Sequence, residues 1–281
     1  MTNVPDSRDE SLLYRRRLTN WRQTQATRIP DATAAATVID QVGIATLYPA
    51  SPEIPNLFHA FTGDPAAQTD SGHSSPSGQV YGWRWDLGRA HAAFYSTIVR
   101  RRPTWVSWSL LPAVLRLLAE RRAPDELADC GAISPGAYRI AQVLESAHGA
   151  LSTGELRRAA GFPTGKEQRS AYLKAVDELE TRLLLAKVFS TDDHDMHHAL
   201  VAVQYRKYSE AAERLTREEA LGRVLTAYLP HAVYAVPDRL AKHLGPSEAE
   251  LRCGLERLQA ADQVSVAVLP FEKSLCYVWE K

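Results

Sequence analysis

The chain has 281 residues, 45% of them hydrophobic and 23% charged, and its 33 basic and 33 acidic side chains leave a formal net charge of zero. That length favours two or three compact units over one, and the composition excludes a disordered or fibrous polypeptide. No run approaches the roughly eighteen apolar residues of a membrane span, and no apolar segment follows the basic cluster in MTNVPDSRDESLLYRRR, so a cytoplasmic protein with no membrane partner is expected. Cys130, Cys253 and Cys276 are far apart and odd in number, which suits reduced, buried thiols better than a disulfide framework or a zinc knuckle.

In chain order, the arm YRRRLTNWRQTQATR gathers Arg15, Arg16, Arg17, Arg22 and Arg28. It either tracks a phosphate backbone or covers the body of the protein. A small-residue helix is expected at about 31 to 41, then a strand in IATLY, then a short helix in PNLFHAF with Pro55 near its start. Residues 62 to 79, TGDPAAQTDSGHSSPSGQ, make the clearest loop. The aromatic segment YGWRWD follows, then a helix through HAAFYSTIVRRR that Pro103 stops. In SWSLLPAVLRLLAERRA, Leu111, Val114, Leu115 and Leu118 recur at helical spacing, which buries one stripe and turns the arginines to water. Two prolines and two glycines make residues 123 to 136 the best domain boundary.

Beyond that boundary the chain repeats. IAQVLESAHGALSTGELRRAAG, from residue 140, aligns without a gap on VLTAYLPHAVYAVPDRLAKHLG, from residue 224, so that Leu156 falls on Leu240 and Gly161 on Gly245. Each copy reads as two helices, the second closing at its glycine, and then a third helix. Tyr172, Val176, Leu179 and Leu183 form the apolar face of that third helix in the first copy. In the second copy Ser247 and Glu250 make a capping box, and Leu251, Leu255 and Leu258 make the face. Paired strands close each copy, LLLAKVFS with HALVAVQY and VSVAVL with LCYVWE. Three helices and a two-stranded ribbon are the order of a winged helix. The expected fold is therefore mainly α with small β-wings, an α+β class. A mainly helical, winged-helix-like unit at 1 to 130 precedes winged-helix domains at 137 to 206 and 215 to 281.

Such domains most often meet DNA through the third helix, with the wing on the backbone. In the first copy Lys166, Gln168, Arg169 and Lys174 would be exposed on that helix, with Arg157 and Arg158 on the preceding one. In the second copy Arg252 and Arg257 alternate with Glu248, Glu250 and Glu256, which suits a scaffold or protein contact better than phosphate. Arg100, Arg101 and Arg102 offer a further phosphate site or a solvated helix end. The wing tip TDDHDMHH, residues 191 to 198, holds several candidate ligands at a spacing that fits no familiar metal site, so no metal and no cofactor are expected. Most of the N-terminal aromatics must be core, but Trp83 and Trp85 with Asn56 and His59 also provide what a pocket for a stacked base needs.

The stretches VIDQVGIATLYPASPEIPNLFHAF (38 to 61), WRWD (83 to 86) and REEALGRVLTAYLPHAVYAVPDRLAKHLG resemble the AlkZ-like winged-helix DNA glycosylases, in their AlkZ-related branch. The resemblance covers nearly the whole chain. It implies tandem winged helices that grip double-stranded DNA and, in the active enzymes, metal-free cleavage of the N-glycosidic bond at alkylated or crosslinked bases. In those enzymes a glutamine, any residue, then glutamine or aspartate holds the hydrolytic water just after a glycine that ends a helix. Laying Gly43 on that glycine puts Thr46 and Tyr48 in the two polar slots, where neither replaces a carboxamide pair: a threonine hydroxyl is a poor base, and tyrosine titrates far above neutral pH. Gln23 and Gln25 match the motif in letters but lie about twenty residues upstream and before the small-residue helix. The reading is a DNA-binding relative of DNA-repair glycosylases that lacks the usual hydrolytic pair. Its rivals are an active glycosylase with a rearranged site, a transcriptional regulator, and a protein-interaction scaffold.

Overall fold

The structure, a computed structural model, describes residues 7–191, 195–269 and 274–280. Helix α1 (Ser7–Asn20) leads into α2 (Ala32–Val42), β1 (Ile44–Thr46), α3 (Leu57–Thr62), α4 (Pro76–Arg89), β2 (Phe94–Ser96) and β3 (Thr104–Val106). Helices α5 (Leu111–Leu118) and α6 (Pro124–Asp129) connect this part to α7 (Pro135–Ala147), β4 (Leu151–Ser152), α8 (Thr153–Ala159), α9 (Lys166–Thr181), β5 (Leu185–Phe189) and β6 (Met196–Leu200). After α10 (Val201–Gln204) and α11 (Arg206–Glu213) come α12 (Arg217–Ala232), β7 (Tyr234–Ala235), α13 (Pro237–Leu244), α14 (Glu248–Ala260), β8 (Val264–Val268) and β9 (Leu275–Trp279).

The order helix, strand, helix, helix, ribbon thus occurs three times, and the three small sheets share one arrangement. Their strand orders are β1-β3-β2, β4-β6-β5 and β7-β9-β8, so the returning strand of each ribbon lies in the middle and pairs antiparallel with both neighbours. The strand after the first helix therefore closes the sheet over the helices, which is why a stretch of only two or three residues suffices there. Local chemistry sets the helix ends. Ser152 with Glu155, Thr216 with Glu219 and Ser247 with Glu250 form complete capping boxes, each satisfying two orphan donors. Gly43 ends α2 at φ +79, and a Cβ there would lie 2.7 Å from Leu110 Cδ2, so both backbone and packing require glycine.

The core is divided in a way that positions the site. The unit around α7 to β6 has its own cluster, including Leu127, Ile140, Leu156, Tyr172 and Leu179. A second, larger cluster runs without a break from Ile39, Trp105 and Leu111 to Leu225, Leu251 and Leu255, so the last unit packs directly on the first. Phe189, at the end of β5, belongs to the larger cluster together with Leu183, Ala186 and Val201 of its unit: its ring lies 5.4 Å from those of Trp85 and Tyr95 and stacks on Trp105 at 6.1 Å.

Several expectations need correction. HAAFYSTIVRRR is no helix but strand β2, a 3-10 turn at Val99–Arg101, and the approach to β3. Phe94, Tyr95 and Ser96 are all buried against β3, and Arg100 and Arg101 adopt positive φ of 49 and 58, so long-range strand pairing overrides the local helical pattern. HALVAVQY ends as a strand at Leu200 and continues as α10. Residues 123 to 136 contain α6, whose Leu127 belongs to the core of the following unit. Cys276 is buried, but Cys130 and Cys253 are exposed, and none of the three is in a disulfide. In the arm, Arg17 is 2% exposed and therefore cannot track a phosphate backbone. Among the described residues no helix is long and apolar enough to cross a membrane.

Candidate nucleic-acid interface

Thr46 ends β1 fully buried, paired with Thr104 and bridged to Asn56. Its backbone N–H donates to the Pro55 carbonyl at 2.9 Å, and its hydroxyl reaches the same oxygen at 3.4 Å. Tyr48 donates its phenol to the Ser77 carbonyl at 2.8 Å, and burial raises its pKa further. Both hydroxyl protons are directed at backbone oxygens.

Beside this slot lies a pocket of about 360 Å³ that includes Gln23, Asn56 and His59. Asn56 caps α3, accepting the His59 N–H at 2.8 Å, while its amide lies 3.1 Å from His59 Nδ1. His59 Nε2 lies 3.2 Å from the Ala67 carbonyl. That pattern makes His59 an Nε2–H tautomer with its lone pair on Nδ1 taken by Asn56, and burial lowers its pKa. Gln23 is 3% exposed and approaches the Asn56 carbonyl at 3.5 Å. Gln25 donates instead to the Thr62 carbonyl at 2.9 Å. The two carboxamides thus brace opposite ends of α3, about 9 Å apart at 1.5 Å per residue, and do not converge on one water.

The loop that forms this pocket is fixed by groups distant from it along the chain, which no local pattern marks. Glu53 is 1% exposed and ion-pairs with Arg17 at 3.6 Å and Arg239 at 3.5 Å. Arg17 also donates to the Ala232 carbonyl at 2.6 Å and to that of Tyr234, and its guanidinium lies 3.5 Å from the Tyr234 ring centroid. Tyr228 donates to the Glu53 carbonyl at 2.8 Å, Ser51 bonds His243 Nε2 at 2.7 Å, and Arg100 donates to the Ala50 carbonyl at 3.0 Å. Helices α1, α12 and α13 and the arginine turn therefore hold one loop from different sides.

The basic residues divide by what they touch. Lys166, Gln168, Arg169 and Lys174 are exposed along α9, whose first turn has no side-chain cap because Gly165 stands at the N-cap. Its leading N–H groups and the helix dipole are thus available to an anion. Arg157 instead donates to the Pro163 carbonyl at 2.7 Å and shapes the turn before α9, and Arg158 is exposed and donates to Gly154 at 3.3 Å. Arg100, Arg101 and Arg102 are exposed, and Arg101 ion-pairs with Asp177 of α9. Lys166, Arg169, Leu173 and Asp177 recur at helical spacing, so this pair brings the arginine turn to the basic side of α9.

The aromatic pocket expected around Asn56, His59, Trp83 and Trp85 is not a single cavity. Trp83 is 8% exposed and packs edge-on to Phe61 at 5.1 Å, whereas Trp85 lines a different cavity, against the α9 unit. Of the wing tip, residues 192 to 194 lie outside the described residues. His198 points inward at 4% exposure, with burial lowering its pKa to about 4. Among the described residues no group of three or more His, Cys, Asp or Glu could hold a metal.

Repeated helix, strand, helix, helix, ribbon units with small antiparallel sheets define an α+β protein built from like modules. A profile of the AlkZ-related family matches residues 29–245, well over half of the sequence, and the chain belongs to that family. The solved structure of Streptomyces sahachiroi DNA glycosylase AlkZ is similar in fold, with a TM-score of 0.53 at 15% identity over 92% of this chain and 68% of that one. No curated protein matches the sequence.

Proposed function

We propose that the chain is a cytoplasmic protein that binds double-stranded DNA through winged-helix modules and does not hydrolyse glycosidic bonds through the slot at Thr46 and Tyr48. In this reading α9 enters the major groove and the β5-β6 ribbon follows the backbone. The observation that carries it is the exposed, basic, uncapped start of α9, with the arginine turn held beside it. Family membership and likeness in fold to a DNA glycosylase support a duplex as the ligand. The last module is assigned a scaffolding role: Arg217 pairs with Glu250, Arg252 with Glu248 and Arg257 with Glu218, which neutralises its charge locally. Commitment of the Thr46, Tyr48 and His59 protons to protein acceptors weighs against the rearranged-glycosylase reading.

Fluorescence anisotropy of a labelled duplex across a salt series tests the binding. The affinity is expected to fall linearly on logarithmic axes, with a slope of roughly −0.9 per phosphate contact. Lys166→Ala/Arg169→Ala/Lys174→Ala is expected to weaken binding at least about tenfold and to flatten the slope by roughly 1 per lost contact, whereas Arg252→Ala/Arg257→Ala leaves both unchanged. Binding that ignores salt, or that responds equally to the two variants, would refute the assignment.

A further inference from the structure

Leu173, halfway along α9, is 52% exposed and belongs to none of the hydrophobic clusters. Packing of this helix is carried by Tyr172, Ala175, Val176 and Leu179, which are buried. An exposed helix position is served as well by lysine, glutamine or glutamate, which form helices about as readily as leucine and are better solvated, so folding gives the leucine no use. Laying the apolar face of Tyr172, Val176 and Leu179 on its counterpart of Leu251, Leu255 and Leu258 keeps the spacing and puts Leu173 on Arg252, which pairs with Glu248 at 2.6 Å. The last module thus fills this position with an ion pair, and the middle module fills it with a leucine turned to solvent.

The surroundings of Leu173 are cationic. At about 100° of rotation and 1.5 Å of rise per residue, it lies between Arg169 and Lys174 around the helix, about 6 Å beyond Arg169 along the axis and about 10 Å beyond Lys166. All three cations are exposed. One turn after Leu173, Asp177 holds Arg101. A neutral apolar partner would leave these charges unmatched, so the occupant that fits is a polyanion with an apolar group set between its charges.

We propose that Leu173 reads thymine by packing on its C5 methyl group. The proposal rests on the entry of α9 into the major groove and names what the helix recognises there. That groove is about 12 Å wide, with phosphates along its walls and base edges on its floor. Lys166, Arg169 and Lys174 reach the walls, which leaves Leu173 directed at the floor. Most of what the floor presents is hydrogen-bond donors and acceptors, which a leucine would strand; the thymine methyl is the group that it can cover without cost.

Fluorescence anisotropy of two alternating duplexes at one salt concentration tests the assignment. One is built of adenine and thymine, the other has uracil in place of every thymine, so the methyl is the chemical difference in every register. The full chain is expected to bind the thymine duplex about fourfold more tightly, the effect of burying one methyl group. Leu173→Ala is expected to lose that factor on the thymine duplex and to bind both alike, whereas Leu173→Met, which still reaches the methyl, keeps a preference. Because Leu173 is exposed and outside the clusters, neither substitution threatens the fold. Equal affinity of the unmodified chain for the two duplexes, or a preference that survives in Leu173→Ala, would overturn the proposal while duplex binding stands. Binding of neither duplex would remove it together with the reading on which it rests.

Discussion

Phe189→Ala is expected to cost about 3–5 kcal/mol, because it removes a buried ring that the α9 unit sets into the core of the first module. Phe189 is 5% exposed and meets Trp85, Tyr95 and Trp105, all from the first module. Without it the α9 unit keeps its own cluster from Leu127 to Leu200, and Leu183, Ala186 and Val201 still hold it to the larger core, so the loss reports this ring and not the whole contact. Gly88 gives an independent check. A Cβ at that position would lie 2.1 Å from Phe189 Cγ, so Gly88→Ala pushes the ring out of its seat. In a double-mutant cycle the two losses should not add, since each substitution removes the same docking. Differential scanning calorimetry checks both points; a loss of less than about 1 kcal/mol would show that the ring contributes little to the docking.

Arg17→Met is expected to destabilise the protein by about 3–5 kcal/mol at neutral pH, since it removes the buried counter-charge of the Glu53 carboxylate. Glu53 keeps Arg239, whose side chain is 38% exposed, while Arg17's bonds to the Ala232 and Tyr234 carbonyls vanish with the substitution. Adding Glu53→Gln to that variant is expected to restore a substantial part of the loss, because a neutral amide needs no counter-charge. Urea denaturation of the two single variants and the double variant reads the coupling directly. Strictly additive losses would mean that the two side chains act separately.

The sequence was informative where structure is local or repeated. The apolar faces at Tyr172, Val176 and Leu179, and at Leu251 and Leu255, are buried as their spacing implied, and Leu156 and Leu240 occupy equivalent places in two modules 84 residues apart, 240 minus 156. The capping box at Ser247 and Glu250 could be read directly because both partners lie within one turn. What could not be read depends on partners distant in sequence. Phe94, Tyr95 and Ser96 form a strand because β3 lies beside them, although the same letters carry a helical pattern. Arg17 looked like one of several surface arginines, and only the fold brings Glu53, Ala232 and Tyr234 around it. Gln23 and Gln25 have the letters of a water-holding pair, yet α3 separates their carboxamides. The basic positions on α9 could be picked out, but not that Arg157 would be used in a backbone turn or that Asp177 would engage Arg101.

The most direct test combines binding and chemistry in one reaction: excess protein is mixed with a labelled duplex carrying one N-alkylated purine, then assayed for bound fraction and for alkali-labile abasic sites. The duplex should be retained in a salt-sensitive complex with every base still attached. Abasic sites appearing faster than in the protein-free control would contradict this, and would mean that the chain hydrolyses the glycosidic bond after all.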